Sequence, residues 1–342
     1  MRAIVIHAAK DLRIEERDTP TAGPGEVKVR VAAGGVCGSD LHYYNDGGFG
    51  PVKIREPMIL GHEVSGTVTE IGADVTGLKV GDLVAVSPSR PCRACQYCQT
   101  GLPMHCLNMR FYGSAMPMPH IQGAFREELV ADASQCVHAT GLSAGEAAMA
   151  EPLSVCLHAG RRAGELLGKR VLVTGCGPIG ALCILVARRA GAAEIVATDL
   201  AENALKMAAR VGADRVVNVA EEPDGLAPYA ADKGSFDVHF ECSGSAAALA
   251  GAIPAMRPRA IIVQVGIGGD MSLPMMQMTA KEIDVRGSFR FHEEFPIAVR
   301  LMQGRLIDVS PLITHTVPLE QAEQAFVIAN DRSQAMKAQI AF

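Results

Sequence analysis

The apolar rhythm of the chain changes once. Over residues 1 to about 140, short alternating or β-branched runs ("AIVIH", "EVKVRVAAGGVC", "HEVSGTVTEIG", "GDLVAVSP") are separated by Gly and Pro turns such as "AGPGE". Period-two runs bounded by turn residues predict short strands joined by long loops, in a β-barrel-like lobe. From about residue 143 the texture becomes "RVLVTG", "GALCILVARRAG", "EIVATD", "ALKMAARVG", "FDVHFECSG" and "RAIIVQVG". Apolar strands alternating with helical stretches predict a parallel sheet with helices on both faces. After about 290, "FPIAVRLMQGRL" and "LITHTVPLEQAEQAF" leave that rhythm. The expected fold is α/β: a β-rich lobe over 1–145, a doubly wound lobe over 146–290, and a tail over 291–342 that returns to the first lobe.

Composition agrees with two cores. At 342 residues and 49% apolar, the chain is longer than one typical core and needs no staples. The net charge is −5, from 32 basic and 37 acidic residues with no basic run, which gives no electrostatic support to a nucleic-acid or membrane-surface partner. A small-molecule partner is expected. The apolar run in "MRAIVIHAAKDLRIEE", about five residues, is shorter than a signal h-region or a membrane span, so a cytoplasmic protein is expected. In a reducing compartment clustered cysteines read as metal ligands rather than disulfides.

"VLVTGCGPIGALCILVARRAG" places Gly175, Gly177 and Gly180 as G-x-G-x-x-G, with Pro178 and Ile179 inside it, between an apolar strand and a helix. Such a loop gives a tight turn, close backbone approach to a pyrophosphate, and a helix N-terminus for its charge. Asp199 ends the next strand 19 residues after Gly180, where a ribose-binding acid belongs. Its carboxylate would repel a 2′-phosphate, and Leu200 follows where an Arg would be needed, so NAD is favoured over NADP.

Cys92, Cys95, Cys98 and Cys106 have the spacing C-x2-C-x2-C-x7-C. Four thiolates close a tetrahedron around Zn²⁺ with no open position, which is a structural site; an Fe–S cluster also takes four thiolates, but in other spacings. His105 reads as a bystander. The chemistry is then sought in "GGVCGSDLHYY" and "ILGHEVSGTV", where Cys37 and His62 lie in Gly-flanked loops, with Glu63 and Glu151 as carboxylates. One Cys, one His and one carboxylate leave a fourth position open, as in a catalytic zinc site.

Together "GHEVSGTV", the four-cysteine loop, "EPLSV" and "GCGPIG" resemble, in order and approximate spacing, the zinc-containing medium-chain alcohol/polyol dehydrogenase family over nearly the whole chain. Alcohol dehydrogenases are a known instance of the open zinc site. "CGSDLHYY" and "EPLSV" are similar to the sorbitol dehydrogenase branch, and "MRFYGSAM", "PMMQM" and "RGSFRF" to the bacterial L-idonate 5-dehydrogenases. The resemblance implies a GroES-like catalytic domain, a Rossmann domain and an active site between them. It implies one catalytic and one structural zinc per chain, with Cys37, His62 and Glu151 as catalytic-zinc ligands and Glu63 as a neighbour that exchanges with water. Cys156 lies five residues after Glu151, roughly 140° around a helix, and is expected in the core.

Further roles follow from the resemblance alone. Asp40 orients the ligand histidine, Ser39 and His42 form a proton relay, and Tyr43, Tyr112 and Arg290 line the substrate pocket. The substrate is a sugar acid, L-idonate oxidised to 5-keto-D-gluconate, or alternatively a sorbitol- or xylitol-type polyol, and the chain is expected as a homotetramer, with a dimer as the other reading. A sugar acid needs a cation near the cleft, for which Arg290 is the first candidate and Arg110 and His120 are weaker ones. Two other classes stay open: a dinucleotide-binding protein without the reaction, and a zinc-ribbon nucleic-acid binder. The first should lack Cys37, His62, Glu63 and Glu151, and the second needs a basic surface.

Overall fold

The structure, a computed structural model, describes residues 1–342. In the first lobe the strand Glu26–Gly35 is the spine. Val27, Val29, Val31 and Ala33 are buried while Arg30 points outward, as period-two alternation requires. It pairs antiparallel with Glu63–Ile71, Glu128–Asp132 and, at its glycine end, Lys337–Ala341. The sheet continues outward through Leu83–Val86 and Cys136–His138 on one side and Ile313–Pro318 on the other. Its inner face packs Val64, Val68, Phe125, Leu129, Phe326 and Ile340 into one core.

The second lobe is a six-stranded parallel sheet in the order Arg215–Asn218, Glu194–Asp199, Arg170–Thr174, Phe236–Glu241, Met256–Gln264, Asp284–Gly287. In chain order that is 3-2-1-4-5-6, the dinucleotide-binding arrangement whose crevice opens where the order reverses, between Arg170–Thr174 and Phe236–Glu241. Both faces are covered: Val171 and Val173 join the core under the helices Ala150–Ala163 and Pro178–Arg189, while Leu172 joins the opposite core with Leu249 and Ile262. No helix is long and apolar enough to cross a membrane.

The tail was expected to leave the second lobe at residue 291. The helix Glu294–Gln303 packs Phe295, Ala298, Val299 and Met302 into the core that holds Leu153 and Cys156. The first residue paired in the large sheet is Ile313, after which Lys337–Ala341 inserts between Ile313–Pro318 and the spine. The change of rhythm near 290 thus precedes the change of core, because one more amphipathic helix is needed to cover the Ala150–Ala163 helix.

Candidate active site and metal centres

Two chain reversals bring Cys37 and His62 together. Cys37 follows the spine strand and is the N-cap of the helix Gly38–Asp46; Asp40, at the third helical position, accepts the Cys37 N–H at 3.0 Å, so this carboxylate fixes the helix start. His62 follows Gly61, whose φ of 89° is open to glycine and whose missing side chain is replaced by the Phe125 ring. That turn aims His62 at Cys37. Asp40 is fully buried, accepts the Gly61 N–H at 3.3 Å and lies 3.7 Å from His62 Nδ1. Burial raises its pKa against the pull of His62.

Ligand atoms of Cys37, His62 and Glu63 all fall within 4.8 Å of one another. The expectation placed Glu151 in the ligand set and Glu63 beside it, whereas here Glu63 is the carboxylate in the group. The strand register explains this: Glu63 directly follows His62 at the start of the strand Glu63–Ile71, opposite Gly35, while Glu151 comes from the first turn of a helix in the other lobe. Yet Glu63 is already engaged, since the buried Lys337 Nζ donates to both of its oxygens at 2.8 Å and to the Val36 carbonyl at 3.1 Å. Glu151 is buried, forms no hydrogen bond, and is pushed up to about 7 by burial, against the pull of His62.

This chemistry fits a cation. Burial opposes a charged His62, but Asp40 and Cys37 outweigh it and hold the imidazole well above its ordinary range. A buried pocket whose acidic groups favour a positive charge at His62 and leave a carboxylate unpaired suits a divalent metal, which takes the place of that proton on the imidazole. Ser39 and His42 lie three residues apart in the Gly38–Asp46 helix, on one face. His42 is half-exposed, 3.6 Å from Asp46.

Of the three pocket residues, Arg290 and Tyr43 are at the site. The Arg290 guanidinium lies over the rings of Phe111 and Phe289, at 4.7 and 4.8 Å, and has no hydrogen-bonded or ion-pair partner. Its backbone sits at φ 58°, unusual for a residue with a side chain. Burial lowers its pKa, against the charges of Glu151 and Tyr43. Tyr43 is buried, and its hydroxyl accepts the Ala115 N–H at 3.0 Å.

Tyr112 is a correction. Its hydroxyl donates to the Val130 carbonyl at 3.2 Å, its ring packs in the first-lobe core, and burial pushes it up to about 12. Phe111 takes the place expected for it, 5.5 Å from the His62 ring. Neighbouring residues on an extended segment point to opposite sides, so an assignment one residue out faces the wrong way. His120 is also used elsewhere, accepting the Arg55 N–H at Nε2 and donating from Nδ1 to the Pro117 carbonyl, and Arg110 is exposed on a short edge strand.

In the four-cysteine loop, Cys95 Sγ lies 3.6 Å from Cys98 Sγ and 3.9 Å from Cys106 Sγ. Four sulfurs at 2.3 Å from a tetrahedral zinc would be about 3.8 Å apart, so the spacing fits the ion. Backbone N–H groups of Ala94 and Cys95 hold Cys92 down to about 6, which favours the thiolate. His105, an expected bystander, is exposed and stacks against Phe289 with centroids 6.1 Å apart.

At the crevice of the second sheet, Gly175 has φ 82°, and a side chain there would meet Ser243. Gly177 caps the helix Pro178–Arg189, Pro178 is its first residue, Ile179 is partly buried beneath it, and Gly180 packs against the Gly175 carbonyl. Asp199 ends the adjacent strand and accepts from the N–H groups of Cys176 (2.6 Å), Leu200 (2.7 Å) and Ala201 (2.9 Å), so the acid is tied to the Gly-rich loop itself. Cys156 is buried, as expected.

Comparison with known proteins agrees with this geometry. The alcohol dehydrogenase GroES-like domain family matches residues 23–141, and the zinc-binding dehydrogenase family matches residues 178–304. L-idonate 5-dehydrogenase (NAD(P)(+)) of Escherichia coli K12 is 41% identical over 343 aligned residues, covering 100% of this chain and 98% of that protein. The chain belongs to the zinc-dependent alcohol and polyol dehydrogenase family. Within the family, chicken (Gallus gallus) sorbitol dehydrogenase is 39% identical, covering 95% of this chain and 92% of that one. The crystal structure of the E. coli L-idonate 5-dehydrogenase superposes with a TM-score of 0.95 at 40% identity, covering 100% of this chain and 98% of that one. The protein is thus an oxidoreductase with an NAD(P) site and a zinc-binding fold, and the classes without the reaction or with a nucleic-acid partner are set aside.

Proposed function

We propose that this enzyme oxidises a secondary alcohol of an aldonate, with L-idonate to 5-keto-D-gluconate as the reaction, and uses NAD in preference to NADP. The observation that carries the reading is Arg290, a guanidinium held between two aromatic rings beside Glu151 and without an anionic partner. A partly buried cation in this state recognises a carboxylate through two parallel hydrogen bonds, which a neutral polyol does not offer it.

In this reading Cys37, His62 and Glu151 hold one zinc and the four clustered cysteines hold another. Glu63, neutralised by Lys337, stands by the first as the neighbouring carboxylate. Zinc there supplies Lewis-acid polarisation of the substrate hydroxyl, and the nicotinamide supplies the hydride acceptor. The protein does the rest. Asp40 keeps the His62 ring in one orientation, Ser39 accepts the hydroxyl proton, and His42 passes it toward solvent past Asp46. Arg290 anchors the far end of the substrate, so that one carbinol carbon faces both groups.

A homotetramer is the proposed assembly, supported by exposed Ile267, Met275, Met276 and Val285 at the edge of the second sheet. A cytoplasmic setting is proposed because four clustered thiols need reducing conditions to stay available to a metal. Steady-state kinetics test the substrate. We expect kcat/KM for L-idonate to exceed that for sorbitol by at least roughly tenfold, about 1.4 kcal/mol of transition-state binding, and Arg290→Ala to abolish the difference by weakening L-idonate alone. Equal or better turnover of sorbitol overturns the aldonate reading, and equal loss of both substrates assigns Arg290 to the metal site.

A further inference from the structure

Three cysteines outside both metal groups meet beneath the dinucleotide loop. Cys183 lies in the second turn of the Pro178–Arg189 helix, and Cys242 follows the strand Phe236–Glu241. Their sulfurs are 3.8 Å apart. Cys156, from the Ala150–Ala163 helix, donates to the Ile179 carbonyl at 3.4 Å and is the third member. Cys156 and Cys183 are buried, whereas Cys242 is partly exposed at the crevice where the strand order reverses. We propose that Cys183 and Cys242 are a modification site: peroxide oxidises them to a reversible disulfide that weakens dinucleotide binding.

The chemistry balances with peroxide as the oxidant. The Cys242 thiol, hydrogen-bonded to Cys183, passes its proton to that sulfur and attacks one peroxide oxygen; the O–O bond breaks, Cys242 keeps one oxygen as a sulfenic acid, and the other leaves as hydroxide, which takes the proton from Cys183 and departs as water. Cys183 then attacks that sulfur; the S–S bond forms, the S–O bond breaks, and a second water departs. Two thiols lose two electrons, and peroxide is reduced to two waters.

The consequence for the cofactor follows from the packing. A disulfide is about 2.05 Å long, so the sulfurs must approach by about 1.8 Å. One sulfur is fixed to the helix whose N-terminus, at Gly177 and Pro178, faces the pyrophosphate position. The other is fixed to a segment whose Cys242 N–H donates to the Thr174 carbonyl at 2.8 Å and whose Ser243 fills the space beside Gly175. Closing the bond therefore pulls on both sides of the phosphate-binding turn. Solvent reaches the pair from the crevice, so bound dinucleotide shields it.

The test uses the zinc-loaded protein treated with hydrogen peroxide and then alkylated. Mass mapping should find a Cys183–Cys242 cross-link, NADH affinity measured by its fluorescence should fall at least roughly tenfold, and dithiothreitol should restore it. Zinc release, followed with a chromogenic chelator, separates this from oxidation of the metal-site cysteines. Cys242→Ser and, independently, Cys183→Ala should form no cross-link and keep their NADH affinity after peroxide, and NADH bound beforehand should slow the reaction in the wild type. Loss of NADH binding without the cross-link, a cross-link with unchanged affinity, or equal loss in both variants overturns the proposal.

Discussion

Asp199 is placed to serve two ends. It accepts three backbone N–H bonds, one of them from Cys176 within the Gly-rich loop, and it stands where the ribose hydroxyls of a dinucleotide belong. Asp199→Ala removes both the ribose hydrogen bonds and the repulsion of a 2′-phosphate. The KM for NAD should rise at least roughly tenfold while that for NADP changes little or falls; a wild type that already prefers NADP, or a variant with unchanged discrimination, rules the role out. The position of Asp199 beside the Gly-rich loop was legible because its spacing from Gly180 is set by local chain geometry. Lys337 was not. It sits in "SQAMKAQIAF", and only the insertion of that strand beside Gly35 carries its ammonium to Glu63, a contact 274 residues apart in sequence. Its one local sign is a charge inside an apolar strand, which a buried partner must satisfy. Phe111 and Tyr112 mark the same boundary at finer scale, since both suit a pocket and only the twist of a short segment decides which faces it.

Among the elements, the four-cysteine loop is the one read most completely from the sequence, because all its donors lie within residues 92–106 and need no distant partner. The proposed catalytic group is the opposite case: its residues come from two lobes, and the sequence order of Glu63 and Glu151 does not say which carboxylate a lysine will occupy. The loop also reaches beyond its own cysteines. Cys106 is followed back through His105 to Phe289, and Phe289 carries one side of the aromatic clamp on Arg290. Cys95→Ser should reduce zinc content from two to one per chain and lower the melting temperature, since binding free energy at a structural site adds to folding free energy. It should also raise the KM for L-idonate more than that for sorbitol, while NADH affinity stays as in the wild type. Cys37→Ala should instead abolish turnover with the melting temperature close to unchanged. Metal analysis, calorimetry and kinetics on the two variants separate the roles, and two zinc ions retained in Cys95→Ser would sink the assignment.

The second lobe is organised on its central parallel sheet, and a histidine is built into that sheet. His239 lies between Leu172 and Ile262 in neighbouring parallel strands, fully buried, with Nε2 2.8 Å from Thr174 Oγ1 and no partner at Nδ1. Burial pushes its pKa down to about 3, whereas an unfolded chain restores about 6.5. Between these values the unfolded state holds the extra proton. Stability contributed by neutral His239 is therefore fully present above about pH 6.5 and is lost as pH falls toward 3, with a slope of up to about 1.4 kcal/mol per pH unit. Glu294, brought down to about 2 by its bond to His158 against the effect of burial, acts in a lower window, below the ordinary range of a glutamate. Because His239 is reached only by separating central strands, its titration should register in global unfolding rather than in local fraying. Urea unfolding of the zinc-loaded enzyme at about pH 7.5 and about pH 5 should show a smaller loss of stability in His239→Leu than in the wild type. Replacement by Leu leaves Thr174 a bond to Glu241 and fills the site with apolar volume, so the variant should fold. An identical pH slope in both proteins would mean that the imidazole is reached by water or protonated in the folded sheet.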